Sequence, residues 1–422
     1  MKLLHLADLH LDSPFQGIRQ SNSLLREKLL AAPYEAFRQA IGVAINRQVD
    51  VVIIAGDIYD SDRQTIYAQH QFIQELERLE QADIPVVMIH GNHDYLNSHS
   101  PKMTYPTNVY LLDSQTIDSV DLRLSNDLSA RFYGFSYNQR WIESNKAVEY
   151  PRAKGETDYT IGILHGSQVS GNPSFDRYAP FRVKDLLACQ YDYWALGHIH
   201  QHQVLNQEPL IQYSGTTQGR NRLETGDKGG YLVTLEKNQP TKSEFISLSS
   251  IEWQVGRLDC QEDWQIPDLL AACKKWLSTY REVASSTKKL YLLSLYLDNA
   301  QRLDPQIQEQ IISEDLIPLL NPSDLEGNSY WLVKLELSYD QLVDSFDYDP
   351  QLKKSFEASL ASLEEGSSYQ DMLADLFGHP ILMSRLSDIT SDPLIKEEAS
   401  NQAQARITQV LGMNQEGFED AD

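Results

Sequence analysis

Residues Val51–Asp60 read VVIIAGDIYD, five apolar residues without polar alternation followed abruptly by Gly and two aspartates. A strand with one solvated face alternates, whereas an unbroken Val/Ile run is the pattern of a strand buried on both faces. Four other runs share this character: KLLHLA (Lys2–Ala7), IPVVMIH (Ile84–His90), YTIGILH (Tyr159–His165) and YWALG (Tyr193–Gly197). Helical stretches predicted around Leu24–Gln48 and Arg63–Gln81 separate the first three, and this βαβ rhythm implies an α/β domain. NVYLL, ARFYGFSY and GGYLVTLE predict further strands.

The pattern changes after Ser250. SIEWQVGRLDC, KKLYLLSLYLD and YWLVKLELSYD read as strands, with helices predicted near Ile266–Ser285 and Pro305–Leu320 between them. At 422 residues the chain exceeds one ordinary core. It divides into an α/β domain over 1–250, an α+β domain over 251–345, and an acidic helical region with a solvated tail over 346–422.

Charge and histidine divide along the same line. Residues 251–422 hold 13 Lys+Arg against 31 Asp+Glu, a net of −18, which leaves −6 of the total −24 to residues 1–250. Ten of the eleven histidines precede residue 203, so the chemistry belongs to the first domain. Cys189, Cys260 and Cys273 form neither a disulfide framework nor a thiolate metal spacing, which fits a reducing cytoplasm. Asp8 and His10 interrupt the first apolar run too early for a signal-peptide core, and no segment approaches the ~18 apolar residues of a membrane span.

Each of the five buried runs ends in groups able to hold a metal. These are Asp8 and His10; Asp57 and Asp60; Asn92, His93 and Asp94; His165; and His198 with His200. Ligands of α/β sheets bind beyond the carboxyl ends of strands, so side chains scattered over almost 200 residues are expected to converge. Oxygen and imidazole donors without thiolate suit Mn²⁺, Fe²⁺ or Zn²⁺ better than a soft metal, and Mn²⁺ is the ion expected. Two carboxylates, one amide and four imidazoles exceed one ion's needs, and serve two divalent ions ~3.5–4 Å apart if one carboxylate bridges. Such a pair suits phosphate-ester hydrolysis.

The ordered set D-x-H, G-D, G-N-H-D, H and G-H-x-H resembles the calcineurin-like metallophosphoesterase superfamily. ADLHLDSPF and YSGTTQGR (Tyr213–Arg220) are more narrowly similar to the SbcD/YhaO-type DNA repair exonucleases of bacteria. The resemblance covers roughly residues 1–250. It implies a four-layer αββα sandwich followed by an α+β capping domain and C-terminal helices. It also implies one ion on Asp8, His10, Asp57 and His200, and a second on Asp57, Asn92, His165 and His198. His93 would face substrate and assist the leaving group, and Asp94 would orient the loop or the His93 ring. Asp60 stands where archaeal and eukaryotic relatives carry histidine, which puts its substrate role in doubt.

Between Arg131 and Lys184, eight basic residues are interleaved with ten aromatics, a composition fit to hold a nucleic-acid end. Arg140, Arg152, Lys154, Arg177 and Arg182 are the candidate phosphate contacts there, and Arg220 is another. His5 and His90 read as core histidines. No Walker string is present, so Gly215 and Gly219 read as turns.

The function expected is a metal-dependent DNA exonuclease, with endonucleolytic cleavage of hairpins or blocked ends. The competing readings are a phosphoesterase acting on phosphoproteins or small nucleotides, and an inactive adaptor at DNA ends. Against the first, Ser61 follows Asp60 where protein phosphatases carry Arg. The resemblance further implies a Rad50-like, SMC-type ATPase docked on the C-terminal region, and a homodimer formed through the nuclease domain.

Overall fold

The β-branched runs form neighbouring strands because only a sheet interior satisfies their backbone while burying both faces. The computed structural model describes residues 1–13, 23–60, 64–96, 103–124, 127–169, 177–322, 325, 330–339, 354–355 and 358. In chain order its elements begin with β1 (Lys2–Leu6), α1 (Ser23–Asn46), β2 (Val51–Ala55), α2 (Ile66–Gln81), β3 (Val86–Ile89), β4 (Val109–Leu111), β5 (Asp118–Arg123) and β6 (Ser129–Gly134). They continue with β7 (Tyr159–His165), α3 (Val183–Ala188), β8 (Tyr193–Gly197), β9 (Gln203–Asn206), β10 (Leu210–Tyr213), β11 (Gly229–Thr234) and β12 (Lys242–Ser247).

These strands make two six-stranded sheets, in the orders β12-β11-β1-β2-β3-β4 and β5-β6-β7-β8-β10-β9. β1, β2, β3 and β4 run parallel in the first sheet, and β6, β7, β8 and β10 in the second. The sheets stack face to face through Leu3, Ile53, Val87, Phe132, Ile161 and Tyr193. α1 and α2 cover the outer face of the first through Phe37, Ile41, Phe72 and Leu76. α3 and a 3₁₀ turn at Lys146–Glu149 cover the second, where Leu186 and Tyr150 share a core with Trp194 of β8. The result is the four-layer αββα sandwich.

The described residues separate into two compact units, one drawn from 1–254, 280–292 and 323–331 and the other from 255–279, 293–322 and 332 onward. β13 (Ile251–Asp259), α4 (Ile266–Thr287), β14 (Leu290–Asp298), α5 (Pro305–Ile312), α6 (Ile317–Leu320) and β15 (Tyr330–Leu337) complete the element order, and the three strands form a sheet in the order β13-β14-β15. The single helix expected over Pro305–Leu320 is two. Glu314 takes a left-handed φ of 63° after α5, and Pro318, in the first turn of α6, cannot continue an incoming helix. Of the acidic helices expected beyond residue 345, only Lys354, Ser355 and Ala358 are among the described residues, and these are helical. Cys189, Cys260 and Cys273 are free and buried. Among the described residues, no helix is long and apolar enough to cross a membrane.

Candidate metal centre

Parallel pairing puts the carboxyl ends of β1, β2 and β3 on one edge of the first sheet, and β7 and β8 do the same in the second. Beyond β1 and β2 the two chains stay paired, with Asp8 N–H donating to Gly56 O and His10 N–H to Asp57 O, both at 3.1 Å. Asp8, His10 and Asp57 hold left-handed φ values of 51°, 43° and 51°, and His198 has φ 100°. Such conformations cost on the order of 1–3 kcal/mol each and persist where surrounding contacts over-determine them. Here the contacts are visible: the His198 N–H donates to both Asp8 carboxylate oxygens, at 3.0 and 3.1 Å, and the His93 N–H donates to Asp57 Oδ1 at 2.9 Å.

The donor atoms fall into two groups. In one, His10 Nε2 and His200 Nε2 are 3.0 Å apart, with Asp8 Oδ1 at 3.9 and 4.0 Å from them. In the other, Asn92 Oδ1 lies 3.0 Å from both His165 Nε2 and His198 Nδ1. Asp57 Oδ2 stands between the groups, 3.8 Å from His10 Nε2 and 3.4 Å from His165 Nε2. The seven side chains read from the sequence as ligands are thus brought together, three strand ends contributing from one sheet and two from the other.

A cation fits this donor set. His165 Nδ1 faces the Ala55 carbonyl at 2.9 Å, so Nδ1 carries the proton and Nε2 of a neutral ring directs a lone pair at the Asn92 amide oxygen, itself an acceptor. Two lone pairs facing each other in a buried site repel unless a positive charge sits between them. In the metal-free chain that charge is a proton. Burial alone would lower the His165 pKa, but the Asp57 carboxylate overrides it and raises the ring to about 9. At Asp8 burial dominates and pushes the carboxyl up. At Asp57 burial is outweighed by the His165 and His93 imidazoles, which hold the carboxyl well below its usual range. Burial and then the Arg220 guanidinium lower His10 to about 3, leaving a neutral imidazole able to act as a ligand.

His93 and Asp94 follow Asn92 with different tasks. The His93 ring packs edge-on against His10, centroids 4.9 Å apart, and its Nδ1 lies 2.8 Å from the Asp60 carbonyl. Asp94 is buried and accepts from Gly91 N–H at 2.7 Å and Ile58 N–H at 2.9 Å, so it clips the β2 and β3 ends together and orients the loop. The ring of His93 is held by the Asp60 carbonyl. Gly91 permits this closeness: a Cβ there would fall 2.1 Å from Asp57 Oδ1. Gly197 is equally constrained, since its Cβ would meet Ala55 O at 2.0 Å.

Of the basic candidates, Arg220 lies at the centre, its guanidinium paired with Asp60. Arg177 is exposed and adjoins Tyr178, whose ring packs on His198 with centroids 4.5 Å apart. The Arg177 carbonyl accepts from Ile142 N–H, placing the neighbouring Arg140–Trp141 pair alongside. Arg152 donates to Gln190, Arg182 stands at the N-terminus of α3 with its backbone N–H donating to Asp185, and Lys154 is exposed; among the described residues these contacts include none of the centre's side chains. His5 is a core histidine, its Nδ1 2.8 Å from the Tyr193 hydroxyl, and His90 is buried with Nδ1 3.2 Å from Asp94 Oδ2.

Three participants were not read from the sequence. Glu224 Oε1 lies 2.8 Å from His200 Nδ1, the Thr216 hydroxyl donates to the Asp8 carbonyl at 2.7 Å, and the Tyr137 hydroxyl donates to the His165 carbonyl at 3.0 Å. Thr216 belongs to the YSGTTQGR string and was findable there. Glu224 follows no apolar run, and Tyr137 ends ARFYGFSY, whose strand is buried on alternate residues only.

Comparison with known proteins agrees with this geometry. The chain is 30% identical over 402 residues to the metallophosphoesterase YhaO of Bacillus subtilis, described as uncharacterized, covering 94% of this chain and 96% of that one. It is 28% identical over 260 residues to the DNA double-strand break repair protein Mre11 of Sulfolobus acidocaldarius, covering 57% of this chain and 62% of that one. It is 27% identical over 293 residues to a subunit of the nuclease SbcCD of Staphylococcus saprophyticus, covering 60% of this chain and 70% of that one. A family profile matches residues 1–213, which span the centre from Asp8 to His200, and by that match the chain belongs to the calcineurin-like phosphoesterase family.

Proposed function

We propose that this chain is a metal-dependent DNA exonuclease, with endonucleolytic action on hairpins or blocked ends, that hydrolyses phosphodiester bonds using two divalent ions, Mn²⁺ foremost. The observation that carries the two-ion reading is the position of Asp57 Oδ2 between the His10/His200 group and the Asn92/His165/His198 group. Asp57 would bridge, Asp8, His10 and His200 completing one site and Asn92, His165 and His198 the other. When bound, the ions supply Lewis acidity toward the phosphate and acidify the attacking water.

The remaining work belongs to the chain. His93 Nδ1 is fixed against the Asp60 carbonyl, which leaves Nε2 to deliver a proton to the departing oxygen. Arg220, paired with Asp60 beside the centre, would meet a phosphate oxygen, and Arg177 and Arg140 with Trp141 would extend a basic and aromatic surface from Tyr178. The naming of two relatives as a DNA double-strand break repair protein and a nuclease supports DNA as substrate. One of them is named as a subunit, which supports a partner chain; in our reading that partner is an SMC-type ATPase of the Rad50 kind and the place of action is the cytoplasm.

The test is purified protein with Mn²⁺ and end-labelled double-stranded DNA, run beside a phosphopeptide and a cyclic nucleotide. Shortening of the DNA from its ends with both other substrates intact supports the proposal. Preferential hydrolysis of either small substrate, or no cleavage of any, refutes it.

A further inference from the structure

At His200 and His10 the side of the imidazole turned away from the centre is also occupied. His200 Nδ1 lies 2.8 Å from Glu224 Oε1, and the other oxygen, Oε2, accepts from the Arg220 backbone N–H at 2.8 Å. Both carboxylate oxygens are therefore engaged, so the group cannot rotate, and its side chain is only 12% exposed. Across the centre, the buried His10 Nδ1 is 3.4 Å from Asp60 Oδ1, within ion-pair reach but without hydrogen-bond geometry. The Arg220 guanidinium pairs with that same Asp60 oxygen, and its Nε lies 3.7 Å from Glu224 Oε1. His10, Asp60, Arg220, Glu224 and His200 form a closed circuit, completed by the 3.0 Å approach of the two Nε2 atoms.

We infer that Glu224 is a positioning residue that sets the tautomer and orientation of His200, that the Asp60 carboxylate draws the His10 proton to Nδ1 by its charge, the two together leaving both Nε2 lone pairs for one divalent cation, and that Arg220 locks the two carboxylates in place. A carboxylate accepting from Nδ1–H confines the proton to Nδ1 and makes Nε2 the better donor to a metal. The two carboxylates would repel each other across the site without the guanidinium between them, and their separation sets how far apart the rings are held. In the second group the corresponding place at His165 is taken by a backbone carbonyl, since His165 Nδ1 is held by the Ala55 carbonyl. The circuit thus acts on one ion. This inference rests on the reading that His10 and His200 share a metal.

The test uses the metal-free full-length chain, titrated with Mn²⁺ by calorimetry and followed by electron paramagnetic resonance, in wild type, Glu224→Gln, Glu224→Ala and Asp60→Asn. Thermal melts of the metal-free variants check that each folds. Wild type should take up two ions and give a spin-coupled pair signal. In Glu224→Ala one ion should bind as in wild type and the other roughly 10- to 100-fold more weakly, so that stoichiometric Mn²⁺ gives an isolated-ion spectrum. Glu224→Gln keeps an oxygen to accept from Nδ1–H and should fall between the two, and Asp60→Asn should weaken the same single ion. Unchanged affinity for both ions in the folded variants overturns the inference; if Glu224→Ala does not fold, unchanged affinity in Glu224→Gln and Asp60→Asn overturns it alone. Wild type taking up fewer than two ions removes the two-metal reading itself, and this inference with it.

Discussion

Asp57 Oδ2 lies 3.4 Å from His165 Nε2, so the end of β2 in one sheet meets the end of β7 in the other at a single carboxylate. Because the same oxygen also faces His10, removing it should damage both metal groups at once. Asp57→Ala is expected to abolish turnover of every phosphoester tried, while far-ultraviolet circular dichroism stays that of the folded sandwich. Retention of most activity together with two bound ions would refute the bridging assignment.

His93 should separate catalysis from binding. Its Nδ1 is committed to the Asp60 carbonyl and its backbone N–H to Asp57, so substitution of the ring leaves the metal donors in place. His93→Gln is expected to lose roughly 10²- to 10⁴-fold in kcat, the usual worth of a positioned proton donor, with both ions retained. Loss of an ion from this variant, measured by elemental analysis, would place His93 among the ligands.

Gly91 makes a steric prediction. A methyl group there would meet Asp57 Oδ1 at 2.1 Å and the Asp57 backbone N at 2.8 Å, and the backbone atom cannot yield by a rotamer change. Gly91→Ala should cost about 1–3 kcal/mol, as overpacking does elsewhere, and weaken metal binding as Asp57 is displaced. A denaturant titration and a Mn²⁺ titration measure the two effects. Wild-type values in both would show that the strand ends have more room than the structure gives them.

His5 predicts how stability depends on pH. Burial lowers this core histidine to about 3, against a smaller opposing effect from the Leu196 backbone. Between pH 3 and roughly 6.5 the unfolded chain therefore carries a proton at this position that the folded chain refuses. The contribution is full above pH 6.5 and declines as pH falls toward 3. For metal-free protein, the slope of unfolding free energy against pH near pH 5 should be steeper in wild type than in His5→Leu, by about 1.4 kcal/mol per pH unit. Parallel slopes in chemical denaturation would show that His5 titrates normally.

The segment from Tyr348 onward contains no proposed metal donor, since the last of these is His200. Its deletion should leave Mn²⁺-dependent cleavage of a chromogenic phosphodiester nearly unchanged. If the segment docks an ATPase partner, the truncated chain should cease to co-purify with it, and the intact complex should weaken with salt. Undiminished co-purification after the deletion would leave the acidic region as a solvated face.

The sequence was most readable where one rule governed both fold and chemistry. Unbroken apolar runs announced doubly buried strands, and the polar residues ending them were the side chains the fold gathers. Periodicity alone could not assign those strands to two sheets, because a run such as VVIIA looks the same inside either one. Pro318 carried a warning about the helix over 305–320 that the apolar spacing masked. Glu224 was invisible for a different reason: it sits in a loop, four residues after Arg220, among 60 acidic residues, and only the folded chain reveals which one faces an imidazole.

The stacking of two sheets has one more consequence. Donors from β1, β2 and β3 close against donors from β7 and β8, and His165 reaches across to the Ala55 carbonyl while His198 reaches to Asp8. A slip of one sheet over the other by a single residue, about 3.3 Å, exceeds any tolerance these contacts have. The centre is therefore a gauge of alignment between the two halves of the sandwich. On gentle heating or in dilute denaturant, ion release should announce their separation while the helices on the outer faces are still intact.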